Sequence, residues 1–244
     1  MGIRVSLLSV TSTHSSVGGA VLANARVLVV GTGKMGIATA GNAIAAGAEV
    51  FLSGRSSGRL LEAATPLNGV KTLVADPEDP QQAAQLLEQA GPLDHLAVLA
   101  GGATPSQAYG IANTAASAAK DAFARFWLSY NLLHAAVGRI RDGGSVTLLS
   151  GSSSRRPSDG RGFWGTLHGA IEALARNAAF ELGPLRVNAV SPGGIGVVPM
   201  NRQLIDHSGR ADDIASMVIA LMANPAITAT VVDVDGGEFL GRFG

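Results

Sequence analysis

Short apolar runs recur along the chain and alternate with longer stretches in which apolar residues return every three or four positions. The runs fall at residues 26–30, 49–53, 70–74, 96–100, 145–150, 186–190 and 230–233. Most are apolar at successive positions, the mark of a strand covered on both faces rather than on one. Between them lie helical patterns such as Leu167, Ile171, Leu174, Ala178 and Leu182, whose steps of four, three, four and four keep one face apolar. Asp79 followed by Pro80 is a helix start, with aspartate as cap and proline at the first helical position, and Ser56 is a second such start. This alternation predicts an α/β fold: a doubly wound parallel sheet of about seven strands inside a three-layer αβα sandwich. Such sheets take ligands beyond the carboxyl ends of their strands, where strand order reverses.

Composition narrows the picture. The 244 residues are 47% hydrophobic and only 15% charged, with 32 glycines, which suits close-packed helices on a buried sheet. No repeat or linker divides them, so residues 25–244 read as one domain behind an N-terminal extension, 1–24. A formal net charge of +0 gives no electrostatic case for nucleic acid or for an anionic membrane as partner. The absence of cysteine excludes disulfides and thiolate chemistry. No apolar run reaches the roughly 18 residues of a membrane span, and a cytoplasmic setting is expected. The five histidines show no metal-ligand spacing, so no metal site is expected.

The first strand runs into Gly31-Thr32-Gly33-Lys34-Met35-Gly36 and then into an alanine-rich helix. A Gly-x-Gly-x-x-Gly series between strand and helix is the fingerprint of a dinucleotide-binding loop. Gly31 would make the tight turn, Gly33 would let the backbone approach a pyrophosphate, and Gly36 would let helix pack on strand. The second strand ends at Ser53-Gly54-Arg55-Ser56, without the carboxylate that ordinarily holds free ribose hydroxyls. Arg55, with Lys34 in the loop, would instead meet a 2′-phosphate, so the expected cofactor is NADP(H).

From residue 25 onward the order of landmarks resembles the short-chain dehydrogenase/reductase family, which implies a Rossmann-type fold. After the glycine loop come Gly54-Arg55, Ala75-Asp76, the 99–102 stretch Leu-Ala-Gly-Gly, residues 144–150, and the 186–193 stretch Arg-Val-Asn-Ala-Val-Ser-Pro-Gly. Residues 212–215 and 232–237 close the series. The resemblance implies that Asp76 accepts a hydrogen bond from the adenine amino group. It implies that Ala100, Gly101 and Gly102 lie against the adenine ribose, and that Pro192, Gly193 and Ile195 border the nicotinamide. It also implies a homodimer or homotetramer built on helices near 119–137 and 165–182.

The same alignment exposes departures. The family's reductases use a Tyr-x-x-x-Lys pair and an upstream serine. The two tyrosines here are Tyr109 and Tyr130, and neither has a lysine four residues on. Trp164 stands at the tyrosine position, His168 at the lysine position and Gly151 at the serine position, flanked by Ser150 and Ser152. No asparagine stands near 125–127, the glycine loop is one residue shorter than the family's, and residues 200–209 leave room for only a short lid.

The replacements suggest a different chemistry. His168 would be the proton-transfer group, by virtue of an ordinary pKa near neutrality, unless it forms a solvated helix stripe with Glu172 and Arg176. Ser150 or Ser152 would supply a hydroxyl, and Trp164 a flat wall for an aromatic substrate. Three functions follow: an NADP(H)-dependent oxidoreductase acting on a small organic substrate through an atypical site, a non-redox cyclase, isomerase or dehydratase on the same scaffold, or a dinucleotide-binding subunit without turnover. An activated double bond or an iminium would need less acid assistance than a ketone.

Overall fold

The computed structural model describes residues 20–100, 110–195 and 203–240. In chain order these form β1 (Arg26–Val30), α1 (Lys34–Ala45), β2 (Glu49–Gly54), α2 (Ser57–Ala64), β3 (Lys71–Val74), α3 (Pro80–Ala90), β4 (Leu93–Val98), α4 (Ala116–Ala136), β5 (Ile140–Leu149), α5 (Gly162–Glu181), β6 (Arg186–Pro192), α6 (Ala211–Ala223) and β7 (Val231–Val234). Two 3-10 turns, Ser152–Ser154 and Glu238–Leu240, complete the series. All seven strands are parallel in the order β3-β2-β1-β4-β5-β6-β7, so the expected Rossmann-type sheet is present.

Alternate residues of each strand feed two cores. Leu28, Val30, Leu96, Val98, Val146 and Leu148 face α3, α4 and α5. Val27, Val29, Val50, Leu52, Ala97 and Val190 face α1, α2 and α6. This explains the unbroken apolar runs: the strand period of two points successive residues to opposite faces, and both faces are covered. The packed chain begins ahead of β1. Leu22 is buried, and its N–H donates to the Ala46 carbonyl at 2.9 Å. Asp79 caps α3 through Gln81 N–H at 2.8 Å with Pro80 at the first position, and Ser56 caps α2 through Arg59 N–H at 3.5 Å.

β4 and β5 begin earlier than their apolar runs suggest and β4 stops before residue 99, because polar pairs, not hydrophobic periodicity, hold their amino ends. Asp94 accepts from Arg26 N–H at 2.7 Å and from Arg141 at 2.9 Å. His95 Nδ1 lies 2.9 Å from Ser145 Oγ, and burial pushes this histidine down to about 4. No described helix is long and apolar enough to cross a membrane.

Candidate active site

Strand order reverses between β1 and β4, and the glycine loop sits at that point. Its three glycines answer three separate demands. Gly31 has φ +135°, and a Cβ there would lie 2.8 Å from the Ala100 nitrogen. Gly36 packs so tightly on the Gly31 carbonyl that no side chain fits between them. Gly33 differs: a Cβ would meet nothing within 4 Å, and the residue is exposed. It caps α1 with no side-chain hydrogen bond and with no acidic residue in the first turn. The first amides of α1 are therefore left without a side-chain acceptor beside open space, the arrangement that receives a phosphate group. Lys34 is exposed at the first helical position, Met35 packs into the α1 core, and the Thr32 methyl group lies against Gly54.

Beyond β2, Arg55 is exposed and pairs with Glu78 at 3.5 Å. Ser56 spends its hydroxyl oxygen on the α2 cap. Asp76 Oδ1 accepts from Glu78 N–H at 3.3 Å, which folds residues 76–79 into a tight turn. Asn131 of α4 clamps that turn, donating to the carbonyls of Pro77 at 3.1 Å and Glu78 at 3.0 Å. Ala100 lies against Gly31, whereas Gly101 and Gly102 lie outside the described residues. At the far side, Pro192 ends β6, and Glu238 accepts from Gly194 N–H at 3.2 Å, closing the turn after Gly193. Ile195 forms a bridge with Gly209 and packs on the α6 core.

The carboxyl end of β5 carries the replaced positions. Gly151 has φ −178°, extended backbone that any residue adopts, so its small size has another cause. A Cβ there would lie 2.5 Å from His168 Cε1 and 2.7 Å from Nδ1. The imidazole of His168 thus fills the space that a side chain at 151 would need. Trp164, one turn earlier on α5, stacks near the ring at a centroid distance of 6.0 Å. The ring is pinned at both nitrogens, with Nε2 3.4 Å from an Arg125 nitrogen and Nδ1 2.8 Å from Ser153 Oγ. Because a guanidinium only donates, Nε2 accepts, and Nδ1 carries the proton that goes to Ser153. Burial, together with the charges of Arg125 and Arg161, pushes His168 down to about 3. The near-neutral pKa behind its expected acid–base role is therefore displaced, and the ring is neutral at physiological pH.

The serines sort differently from the expectation. Ser150 is 3% exposed and donates to Glu172 Oε1 at 2.9 Å. Ser154 donates to the same oxygen at 2.6 Å. Glu172 itself is buried, so it does not form a solvated stripe with His168 and the exposed Arg176. Arg155 lies 3.6 Å from Glu172, forms an ion pair with Asp233 and donates to Ser191 Oγ at 3.1 Å. Ser152, half-buried, opens the 3-10 turn between these anchors. Sequence reasoning missed Arg125, Ser153, Ser154, Glu172 and Asp233. The serine run at 152–154 was a visible signal for the second and third. The meeting of α4 with α5 that brings Arg125 in has no local signature.

Comparison with known proteins supports the family and the fold. The chain is 30% identical over 168 residues to a short-chain dehydrogenase/reductase, ATR9, of Stachybotrys chlorohalonatus, matching 62% of this chain and 65% of that protein. The match thus spans slightly less than two thirds of that relative's length. It is 31% identical over 185 residues to the L-xylulose reductase of Mesocricetus auratus, covering 70% of this chain and 72% of the relative. The structure of MalC Reductase/Diels-Alderase from Malbranchea aurantiaca superposes with a TM-score of 0.81 at 24% identity, over 91% of this chain and 98% of that one, which is a likeness of fold. The family pattern described as enoyl-(acyl carrier protein) reductase matches residues 32–238. This chain belongs to the short-chain dehydrogenase/reductase family of oxidoreductases, whose members bind a nicotinamide dinucleotide.

Proposed function

We propose that the protein is an NADP(H)-dependent oxidoreductase that works without the Tyr-x-x-x-Lys pair on a small organic substrate, aromatic ones included. The observation that carries this reading is the open phosphate cradle at Gly33, with uncapped α1 amides and with Lys34 and Arg55 beside it. These residues fit the group. Gly31, Thr32, Gly33, Lys34, Met35 and Gly36 would wrap its pyrophosphate, and Arg55 would leave Glu78 for the 2′-phosphate. Ser56, Asp76 and Ala100 would border the adenosine, and Pro192, Gly193 and Ile195 the nicotinamide. A bound NADP(H) would supply or accept the hydride.

The chain's own residues then orient the substrate and exclude water. Trp164 offers a flat wall, and Ser150 anchors the turn through Glu172 instead of meeting the substrate. No residue at the replaced positions holds a proton ready for a ketone oxygen near neutral pH. That favours acceptors whose oxygen or nitrogen needs no obligatory protonation, such as activated double bonds and iminium ions. Assembly through α4 and α5 fits the exposure of Trp127 (53%) and Phe180 (90%), and a non-membrane, cytoplasmic setting is part of this reading.

The test is a thermal-shift titration with NADPH and NADH. The reading requires a saturable rise in melting temperature with NADPH; no response to either nucleotide refutes it. A second reading, a non-redox enzyme on the same scaffold, is favoured by one observation: the similar fold of a protein named both reductase and Diels-Alderase. Product formation at constant NADPH absorbance would select it.

A further inference from the structure

The cluster at the carboxyl end of β5 has a charge that no carboxylate among the described residues pairs with. Arg125 projects from α4 and gives one nitrogen to the Leu149 carbonyl at 2.9 Å and another to His168 Nε2. Both acceptors are neutral. Among the described residues Arg125 forms no ion pair, and its buried Nε has no hydrogen-bond partner. The neighbouring carboxylates are already matched: Glu172 holds Ser150, Ser154 and Arg155, and Asp233 holds Arg155. A buried cation without a counter-charge is costly to keep, and its cost falls when an anion or a developing negative charge comes to it.

His168 conducts that charge outward. With Nε2 accepting from Arg125, the ring must present Nδ1–H to Ser153 Oγ. Ser153 Oγ, having accepted that proton contact, keeps its own hydroxyl hydrogen for a partner beyond the cluster. Guanidinium, imidazole and hydroxyl thus form one chain of donors, each bond polarising the next. The turn that carries Ser153 is fixed from both sides, by Ser154 on Glu172 and by the close approach of its carbonyl to Gly165 of α5, where a Cβ would lie 2.6 Å away.

We infer that Arg125, His168 and Ser153 form an oxyanion site, in which the Ser153 hydroxyl meets a substrate oxygen that carries or develops negative charge. Ser153 is the catalytic residue of the set; Arg125 and His168 act through it as positioning residues. The substrate class is an oxyanion: an enolate or phenolate, or an α,β-unsaturated carbonyl that becomes an enolate. For the last, a bound NADPH would supply hydride to the β-carbon; Ser153 would hold the carbonyl oxygen that takes up the π electrons, and solvent would protonate the α-carbon. The products are the saturated carbonyl compound and NADP+. This step rests on the cofactor reading above, but the oxyanion site itself does not.

The probe is 4-nitrophenol, whose phenolate is coloured and whose phenol is not. The full chain is titrated near neutral pH, alone and with NADP+. Expected is binding that favours phenolate, seen as a gain in the coloured form on adding protein. Ser153→Ala should weaken phenolate binding about tenfold, the scale of one hydrogen bond to a charged group, while leaving binding of the neutral analogue nitrobenzene in place; the melting temperature should fall, because His168 Nδ1–H loses its acceptor. Ser153→Thr, which keeps the hydroxyl, should restore phenolate binding. Arg125→Met should remove the preference for the ionised form, and Arg125→Lys should retain part of it. Equal binding of phenol and phenolate, binding of neither, or a Ser153→Ala variant with unchanged phenolate affinity overturns the inference. Failure to bind NADPH with a retained phenolate preference would count against the cofactor reading and leave the oxyanion site standing.

Discussion

Replacing Gly151 by serine, the residue the family ordinarily has there, should damage this protein. The backbone is no obstacle, since φ is −178° at Gly151. The damage comes from the His168 ring, whose Cε1, Nδ1 and Nε2 would lie 2.5, 2.7 and 3.2 Å from the new Cβ. Two responses are open. If the ring stays, the clash is an overpacked site costing about 1–3 kcal/mol. If it swings away, it abandons Ser153 and Arg125, and a buried donor left unpaired costs about 1–3 kcal/mol. Either route gives about 2 kcal/mol, or roughly 4–8 °C in melting temperature for a chain of this size. The assay is urea or thermal unfolding of Gly151→Ser, His168→Ala and the double variant. With the ring gone, the serine should cost less than about 0.5 kcal/mol, so the two sites should couple by more than about 1 kcal/mol. A Gly151→Ser variant as stable as the parent, or an equal serine cost in both backgrounds, would refute the idea that imidazole occupies that space.

Other outcomes follow from the same geometry. Gly33→Ala should fold normally yet weaken NADPH binding, whereas Gly31→Ala should lose stability, given its positive φ and the 2.8 Å approach to the Ala100 nitrogen; equal effects of the two on folding would contradict this. Glu172→Ala should destabilise by about 2 kcal/mol in chemical denaturation, because Ser150 and Ser154 lose a shared acceptor in a buried setting. His168 and His95 are pushed from 6.5 to about 3 and about 4. The unfolded chain therefore binds protons that the folded chain does not, and stability present above pH 6.5 is lost as pH falls through that value toward the folded pKa values. Urea midpoints should drop between pH 6.5 and about 5, above the carboxylate range. Midpoints that stay flat or rise there would count against neutral, buried rings.

Most of the fold was legible because the central strands are buried on both faces and announced themselves as apolar runs, whereas the edge strand β3 is largely exposed; Asp79-Pro80 and Ser56 marked helix starts by local chemistry. Where polar pairs did the work of apolar contact, as with Asp94, His95 and Arg141 at the amino ends of β4 and β5, the periodicity was blind. The glycine loop was legible for the same local reason, since turn, close approach and helix packing each demand glycine within six residues. The β5–α5 cluster was not. Arg125, Ser153, Glu172 and Asp233 lie on four separate segments, and only their packing shows that Gly151 and His168 are two halves of one steric arrangement. The sequence could name the replaced positions but not the ring that joins them.

The proposed function stands or falls on an NADP(H) site at the glycine loop and Arg55. The most direct measurement is the ratio of NADPH to NADH dissociation constants by calorimetry, for the parent and for Arg55→Ala. A charge-assisted contact to the 2′-phosphate predicts NADPH binding at least about tenfold tighter in the parent, with that preference largely lost in Arg55→Ala and NADH affinity unchanged. Tighter binding of NADH by the parent, or a ratio indifferent to Arg55, would contradict it.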